Sequence, residues 1–397
     1  MKSSYKNQLA IVFLLWLLVI VVTILLVAYA KFSFLIAIAI WIVAAVFTAV
    51  KSTTPIGRAC CINIIAVLSV FLWLEGHWVR KSLARGGDVE SSQWSEDSAT
   101  DDQGKIIVRD PVLGYRNAPN YAGMHERRVH DELGFSVRYT TDENGHRKGW
   151  SSADAVENEC TVFFGCSFTF GFGLNDEEAG PYMLGRMTNS RVLNLGVNSY
   201  GPHQLLAALE FDLFPGAENC EPGAVIYQAI PDHIRRVAGY TEYDQHGPRY
   251  VLLDNGELVY TGLFSDFDSS QLSQSFWGGL FAKSYIYKEY FQRRLLLADK
   301  EIDLYLAIVA EIGQRLEKAY PDAEFIIVYW DTENRDYAIE LDEKLPTMAD
   351  KYLRVTEIIP DIQAVPDEYR VPLDPHPNAR ANQAIAEALA NVISAVE

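Results

Sequence analysis

No aspartate or glutamate precedes Glu75 in this 397-residue chain, and only Lys2, Lys6, Lys31, Lys51 and Arg58 are basic there. Taking those five from the 34 basic residues leaves 29 against all 52 acidic ones, a formal charge of −23 from Glu75 onward. Clustered Lys and Arg are scarce in that portion. This excludes nucleic acid as a partner, because holding a phosphate backbone needs a basic patch. The short pair Arg127-Arg128 is flanked by Glu126 and Asp131 and reads as a solvated strand or loop face. Cysteine is also sparse, with five residues and no CxxC pair. Cys60 and Cys61 fall in an apolar run. Cys160, Cys166 and Cys220 are scattered without paired spacing, so neither zinc nor a disulfide framework is expected, and Cys160 and Cys166 bracket a strand that holds them too far apart to bond to each other. No clustered ligand set suggests a metal, and no cofactor is expected.

The acid-free part is instead rich in long apolar runs. Leu9 to Ala30 is apolar apart from Thr23 and Tyr29, and its 22 residues match a hydrocarbon core of about 30 Å. Residues 32–50 and 59–74 form two further runs, the last shorter and interrupted by Asn63 and Ser69. The first run is too long, and too closely followed by the second, for a cleaved signal peptide. Residues 1–80 are therefore expected to anchor the chain in the cytoplasmic (inner) membrane through three transmembrane helices. Lys2, Lys6, Lys51 and Arg58 lie at ends that would face inward, against Lys31 alone on the other side. That bias places the C-terminal portion outside the cytoplasm, in the periplasm or its equivalent. Arg80, Lys81 and Arg85 weigh the other way, and failure of the third run to insert would leave that portion in the cytoplasm.

Residues 86–104 are Gly, Ser and acid and read as a flexible acidic linker. Residues 105–159 hold short β-like pieces around turn signals such as Asn144-Gly145, a β-rich lead-in. From Cys160 onward strands alternate with helices. Strands are expected at 161–164, 191–195, 224–230, 324–330 and 352–358, with helices at 178–188, 203–211, 283–319 and 378–396. A polar, aromatic insertion covers about 239–276. Its Tyr240, Tyr250, Tyr260 and Phe264 are expected to pack the insertion onto its domain, the alternative being a sugar-lining role. The alternation implies an α/β fold, a three-layer α/β/α sandwich with a mostly parallel sheet. Ligands on such sheets bind beyond the carboxyl ends of the strands.

Three post-strand segments carry candidate chemistry. Gly165-Cys166-Ser167-Phe168-Thr169-Phe170-Gly171 puts a serine where a strand turns into a helix, with its N–H at a helix N-terminus. It is neither a GxSxG elbow nor a dinucleotide loop. Asn194-Leu195-Gly196-Val197-Asn198-Ser199-Tyr200-Gly201 offers glycines that admit close backbone approach. Leu373-Asp374-Pro375-His376-Pro377-Asn378 places an Asp two residues before a His ahead of the last helix.

In that order the three segments resemble the SGNH hydrolase family, the GDSL-like esterases, over residues 160–397. The segments Asp110–Arg116 and Asp142–Arg147 resemble those preceding its membrane-tethered bacterial members. The resemblance implies Ser167 as nucleophile, His376 as general base and then acid, and Asp374 as the residue orienting His376. It also implies an oxyanion hole that includes the N–H groups of Ser167 and Gly196. Three departures stand out: Cys166 replaces the usual Asp, Asp374 and His376 are one residue apart rather than two, and the third family block lacks its Asn. Asn198 or His233 is left to supply that last donor, because Asp232 would repel an oxyanion. The implied activity is ester hydrolysis through an acyl-enzyme, on an acyl or acetyl ester of a cell-envelope glycan or lipid. The alternatives are an O-acyltransferase for envelope polysaccharide and a non-catalytic binding protein on the same fold.

Overall fold

The computed structural model describes residues 34–51, 54–84, 105–129, 132–150, 159–213, 220–240, 246–266, 284, 299–332 and 338–394. The chain forms two compact units, one of residues 1–89 with 268–296, the other of residues 90–267 with 297–397. The expected span at 9–30, the linker at 86–104 and residues 267–276 of the insertion lie outside the described residues.

In the first unit, helix α1 (Phe34–Lys51) and helix α2 (Pro55–Ala84) pack against each other. Pro55 opens α2, where its missing N–H costs nothing and its fixed φ suits the first turn. Large apolar side chains including Val43, Phe47, Ile62 and Val67 are exposed on the two helices. Within α2 the stretch Gly57–His77 is long and apolar enough to cross a membrane, whereas the apolar stretch of α1, Ile36–Lys51, is shorter. The run with the weakest sequence pattern thus sits in the longest described helix. Asn63 and Ser69 do not interrupt it, because neither removes a backbone hydrogen bond as proline would. Glu75 near the end of this stretch is buried and accepts a hydrogen bond from Ser284 Oγ at 3.0 Å.

The second unit opens with two antiparallel hairpins, β1 (Ile107–Asp110) with β2 (Gly114–Asn117) and β3 (Ala122–Val129) with β4 (Glu132–Thr140). Asp110 Oδ1 accepts the Val112 and Leu113 N–H groups at 2.9 and 2.8 Å and so closes the first turn. The main sheet is wholly parallel. Its strands are β5 (Glu159–Phe164), β6 (Val192–Asn194), β7 (Glu221–Ala229), β10 (Glu324–Tyr329) and β11 (Lys351–Arg354), in the spatial order β11-β10-β7-β5-β6. Between β7 and β10 the insertion adds a small hairpin, β8 (Pro248–Leu252) with β9 (Leu258–Leu263).

Strands such as Ala224-Val225-Ile226-Tyr227 are apolar on both faces because helices cover both. After β5 come the short α3 (Ser167–Phe170) and then α4 (Gly180–Thr188); α5 (Pro202–Glu210) follows β6 and α6 (His233–Val237) follows β7. Helix α7 (Asp299–Ala319) precedes β10, α8 (Ala338–Lys344) precedes β11, and α9 (Val355–Ile358) and α10 (Ala379–Ser394) end the unit. One core joins Val162, Val225 and Tyr227 to Leu205 of α5 and Ile308 of α7. The other joins Phe163, Ile226 and Val328 to Leu184 of α4 and Ile385 of α10. This is the expected three-layer sandwich. Because β5 feeds β6 on one side while β7 lies on the other, the sheet reverses its order at β5, and a crevice is expected beyond the ends of β5 and β7.

Two expectations are corrected. Cys160 and Cys220, 60 residues apart, are joined by a disulfide with Cα atoms 5.8 Å apart. The bridge is possible because β5 and β7 are neighbours, Cys160 lying opposite Pro222. The strand expected at 352–358 stops at Arg354. Asp331 Oδ1 takes the Thr356 N–H at 2.9 Å and pulls the chain off the sheet into α9. Of the aromatic insertion, Tyr250 is buried with its hydroxyl on Glu210 Oε2 at 2.8 Å, and Tyr260 packs on Phe211, so these residues pin β8–β9 to α5 as the packing expectation held.

Closing a loop of this length stabilises the folded state by about 2–4 kcal/mol. Cys220→Ala should therefore lower the urea midpoint of detergent-purified protein, and the wild type in reductant should match it. Equal midpoints for oxidised wild type and variant would show that the bridge carries no stability.

Candidate active site

Ser167 is the first residue of α3, one turn of helix set directly beyond β5. Its side chain is nearly enclosed, with 5% of the residue exposed. Cys166 at the N-cap is buried and contributes no side-chain hydrogen bond. Among the described residues no acceptor takes the Ser167 N–H. The turn is closed by Gly171 at φ +81°, and the N–H groups of Gly171 and Phe172 both donate to Ser167 O at 3.0 Å. A side chain at Gly171 would be strained by that φ, and its Cβ would also stand 2.8 Å from Ala179 Cβ.

The C-terminal end of α3 rests on Arg147, a fully buried side chain from the lead-in. Its Nη1 donates to the carbonyls of Phe170 and Gly171, the latter at 2.6 Å, and its Nη2 to Leu174 O at 2.6 Å. Its Nε pairs with Asp176 Oδ1 at 3.2 Å, and the guanidinium lies 4.6 and 4.5 Å from the ring centres of Tyr139 and Phe170. Burial pulls the Arg147 pKa down from its ordinary value, opposed by Tyr139 and Asp176. Burial also pushes the Tyr139 hydroxyl up to about 12, so it stays protonated while accepting the Gly173 N–H at 2.8 Å.

Asp374 and His376 lie in the loop between α9 and α10. Leu373 at φ +58° and the Asp374 N–H bond to Val371 O at 3.0 Å turn the chain sharply. Asn378 caps α10 by accepting the Ala381 N–H at 3.1 Å, and its Nδ2 ties the loop back to Glu368 O and Arg370 O. His376 Nε2 lies 2.7 Å from Ser167 Oγ, and Nδ1 lies 2.5 Å from Asp374 Oδ1. The His376 N–H also donates to Oδ1, at 2.8 Å. With a carboxylate at Nδ1, the neutral ring carries its proton there and leaves Nε2 to accept from Ser167. Phe168 and Phe172 flank the imidazole at centroid distances of 5.4 and 4.7 Å. The one-residue Asp374–His376 spacing therefore still brings each ring nitrogen to its partner.

Two sequence expectations are not met. Gly196 needs to be glycine, since a Cβ would stand 2.4 Å from Phe170 N, but its N–H is spent on Asn194 Oδ1 at 2.9 Å. It is a packing glycine that lets the end of β6 lie on α3, and Asn194 completes the contact by donating to Thr169 O at 3.1 Å. His233 is fully enclosed. Its Nδ1 faces the Tyr227 hydroxyl at 2.6 Å and the Ile230 N–H at 3.5 Å. Burial, then the charge of Arg236, push its pKa well below the ordinary imidazole value. Asp232 beside it is neutralised by Arg235 and Arg236 at 3.3 and 3.1 Å. Asn198 is different: half-buried in the loop after β6, it makes no hydrogen bond among the described residues, and its Oδ1 is enclosed without a partner.

The sequence reading also missed Arg127. Its side chain is 17% exposed and its Nη1 forms an ion pair with Asp374 Oδ2, so it is not a solvated face. Arg128 beside it does behave as expected, exposed and paired with Glu126. Among the described residues no group of His, Cys, Asp and Glu is arranged to hold a metal ion.

No family model and no curated protein matches the chain. Solved structures that it resembles include GDSL-type lipolytic proteins and carbohydrate esterases. One, described as a lipolytic protein of the G-D-S-L family from Desulfitobacterium hafniense, is 16% identical with a TM-score of 0.31, over 59% of this chain and 99% of that one. The acetyl xylan esterase Est2A from Butyrivibrio proteoclasticus is 12% identical with a TM-score of 0.34, over 60% of this chain and 64% of that one. A family two carbohydrate esterase from Clostridium thermocellum, solved with cellohexaose, is 10% identical with a TM-score of 0.36, over 63% and 67% of the two chains.

Arg147→Met would remove one donor from each of three carbonyls and the buried charge paired with Asp176, at a cost of about 3–5 kcal/mol. Urea unfolding followed by tryptophan fluorescence should show that loss. A change below about 1 kcal/mol, the range of a surface ion pair, would refute the bracing role.

Proposed function

We propose that this protein is a serine ester hydrolase of SGNH type, tethered to a membrane by its N-terminal helices. The observation that carries the proposal is the continuous chain from Ser167 Oγ through His376 to Asp374, with contacts of 2.7 and 2.5 Å. In this reading His376 Nε2 takes the proton of Ser167 as its oxygen attacks the ester carbonyl. Asp374, ionised, stabilises the imidazolium that forms and holds its Nδ1–H. The imidazolium then protonates the departing alkoxide, leaving an acyl group on Ser167. A water molecule, activated by the same ring, releases the acid.

The developing oxyanion needs donors that are not already spent. The Ser167 N–H meets that condition, and Gly196 does not. Asn198 Nδ2 is proposed as the side-chain donor, because that amide has no other hydrogen-bonded role among the described residues. Phe168 and Phe172 give the acyl group an apolar wall beside the base.

The substrate class follows from tethering. A spacer of the length of residues 86–104, fully extended, reaches roughly 60–70 Å. That limit keeps Ser167 near the membrane, within reach of acyl or acetyl esters on lipids or envelope glycans. The Cys160–Cys220 bridge favours an oxidising compartment, and hence the extracytoplasmic side that the Lys and Arg distribution indicates.

A fluorophosphonate probe should label the detergent-purified protein at Ser167, and Ser167→Ala should abolish both labelling and turnover of a short-chain aryl ester. Asn198→Ala should lower kcat by about 10²-fold with labelled serine still detectable. Undiminished labelling of Ser167→Ala would overturn the assignment. Addition of a glycan acceptor that diverts the acyl group from water would instead identify a transferase.

The compartment has its own test. In acid-quenched cells, Cys160 and Cys220 should resist maleimide until reductant is added. Ready modification of both before reduction would place the domain in the cytoplasm.

A further inference from the structure

The Asp374 carboxylate is completely enclosed, with none of its side chain exposed. An enclosed carboxylate has no water to solvate it and must find its donors in the protein. The one-residue spacing to His376 directs both donors of that residue, Nδ1–H and the backbone N–H, to the same oxygen, Oδ1. The second oxygen, Oδ2, faces away from the loop and meets Arg127 Nη1.

The lead-in hairpin is shaped for this contact. The register of β3 and β4 shifts between Arg127 and Arg128, where Arg127 pairs with Phe135 and Arg128 with Leu133, so Gly134 is the extra residue of a bulge. Bulges bend a strand and re-aim its side chains. Gly134 lies directly on the Asp374 loop, and a Cβ there would stand 3.0 Å from Pro372 O. Phe135, next in β4, packs edge-on against Phe172 at 5.3 Å, and Phe172 is itself in contact with His376. The bulge therefore seats the hairpin on the loop and turns Arg127 inward, while Arg128 stays in solvent.

We infer that Arg127 is a positioning residue for the catalytic relay, a clamp on Asp374 Oδ2 that fixes the carboxylate so that Oδ1 is presented to His376. The inference rests on the serine hydrolase reading above. It makes the β-rich lead-in part of the catalytic machinery, because among the described residues the α/β layers place no hydrogen-bond donor on Asp374 Oδ2. It also accounts for the shortened spacing: with both His376 donors on one oxygen, a partner from outside the loop must satisfy the other. A guanidinium is suited to this, since it stays charged and directs its N–H groups in a rigid plane.

The test uses full-length protein in detergent and a short-chain aryl ester. Arg127→Gln should lower kcat by about 10–10²-fold, the penalty of a misplaced catalytic group, with KM changed little. The rate of fluorophosphonate labelling at Ser167 should fall in parallel. Arg127→Lys, which keeps the charge, should recover part of the loss, and added guanidinium should partly restore Arg127→Ala. Arg128→Gln is the control and should behave as wild type. Wild-type kcat in Arg127→Gln, or a loss shared equally by Arg127→Lys and unrescued by guanidinium, would overturn the inference. Ser167→Ala is run beside them. If that variant keeps its activity, the serine hydrolase reading itself fails, an outcome distinct from a silent Arg127.

Discussion

One buried carboxylate organises this site. Asp374 sits where solvent does not reach, so its charge is tolerated because His376 donates to one oxygen and Arg127 forms an ion pair with the other. Those partners come from distant parts of the sequence, one from the lead-in hairpin and one from the loop before α10. Satisfying the carboxylate therefore forces hairpin, loop and imidazole into a single arrangement. The orientation of His376, and through it the 2.7 Å contact with Ser167, follows from that requirement.

The nucleophile is held by similar logic on the other side. Ser167 sits on a single turn of helix, too short to be stable alone. Its carbonyl end is braced by Arg147, and its flank by Asn194 and Gly196 at the end of β6. Apolar packing joins the two supports, as Tyr121, Phe135, Val137 and Tyr139 of the lead-in close over Phe170, Leu174 and Val371. Two arginines from the segment before the sheet, the buried Arg147 and the half-buried Arg127, thus support both ends of the Ser–His contact. Cutting the unit at the first strand of the sheet would remove both.

Much of this was legible in the sequence, for identifiable reasons. Alternating apolar and amphipathic stretches imply a parallel sheet between helices, and ligands on such sheets gather beyond the strand ends. Position marked Ser167, Asp374 and His376 as candidates, and the resemblance to the SGNH family gave them their roles. What stayed hidden depended on strand neighbours. Cys160 and Cys220 look unrelated until β5 and β7 are seen side by side. Arg127 looks solvated because acids flank it in sequence, and the bulge that turns it inward is a matter of register, set by the loop the hairpin rests on. Gly196 was assigned a donor role because a glycine after a strand can offer its N–H, but the side chain two residues earlier already takes it. In the N-terminal part, the interrupting Asn63 and Ser69 suggested a weak span, whereas α2 continues through both without a break.

The central claim is that Ser167 forms a covalent acyl intermediate driven by the relay that ends on Asp374. Trapping that intermediate tests it most directly. The protein is incubated with an activated acetyl ester, quenched in acid during the first turnover, digested and analysed by mass spectrometry. The account predicts one acetyl group on the peptide carrying Ser167, much reduced in Asp374→Asn. Ester turnover with no acyl group on Ser167, or acylation of equal extent in Asp374→Asn, would contradict it.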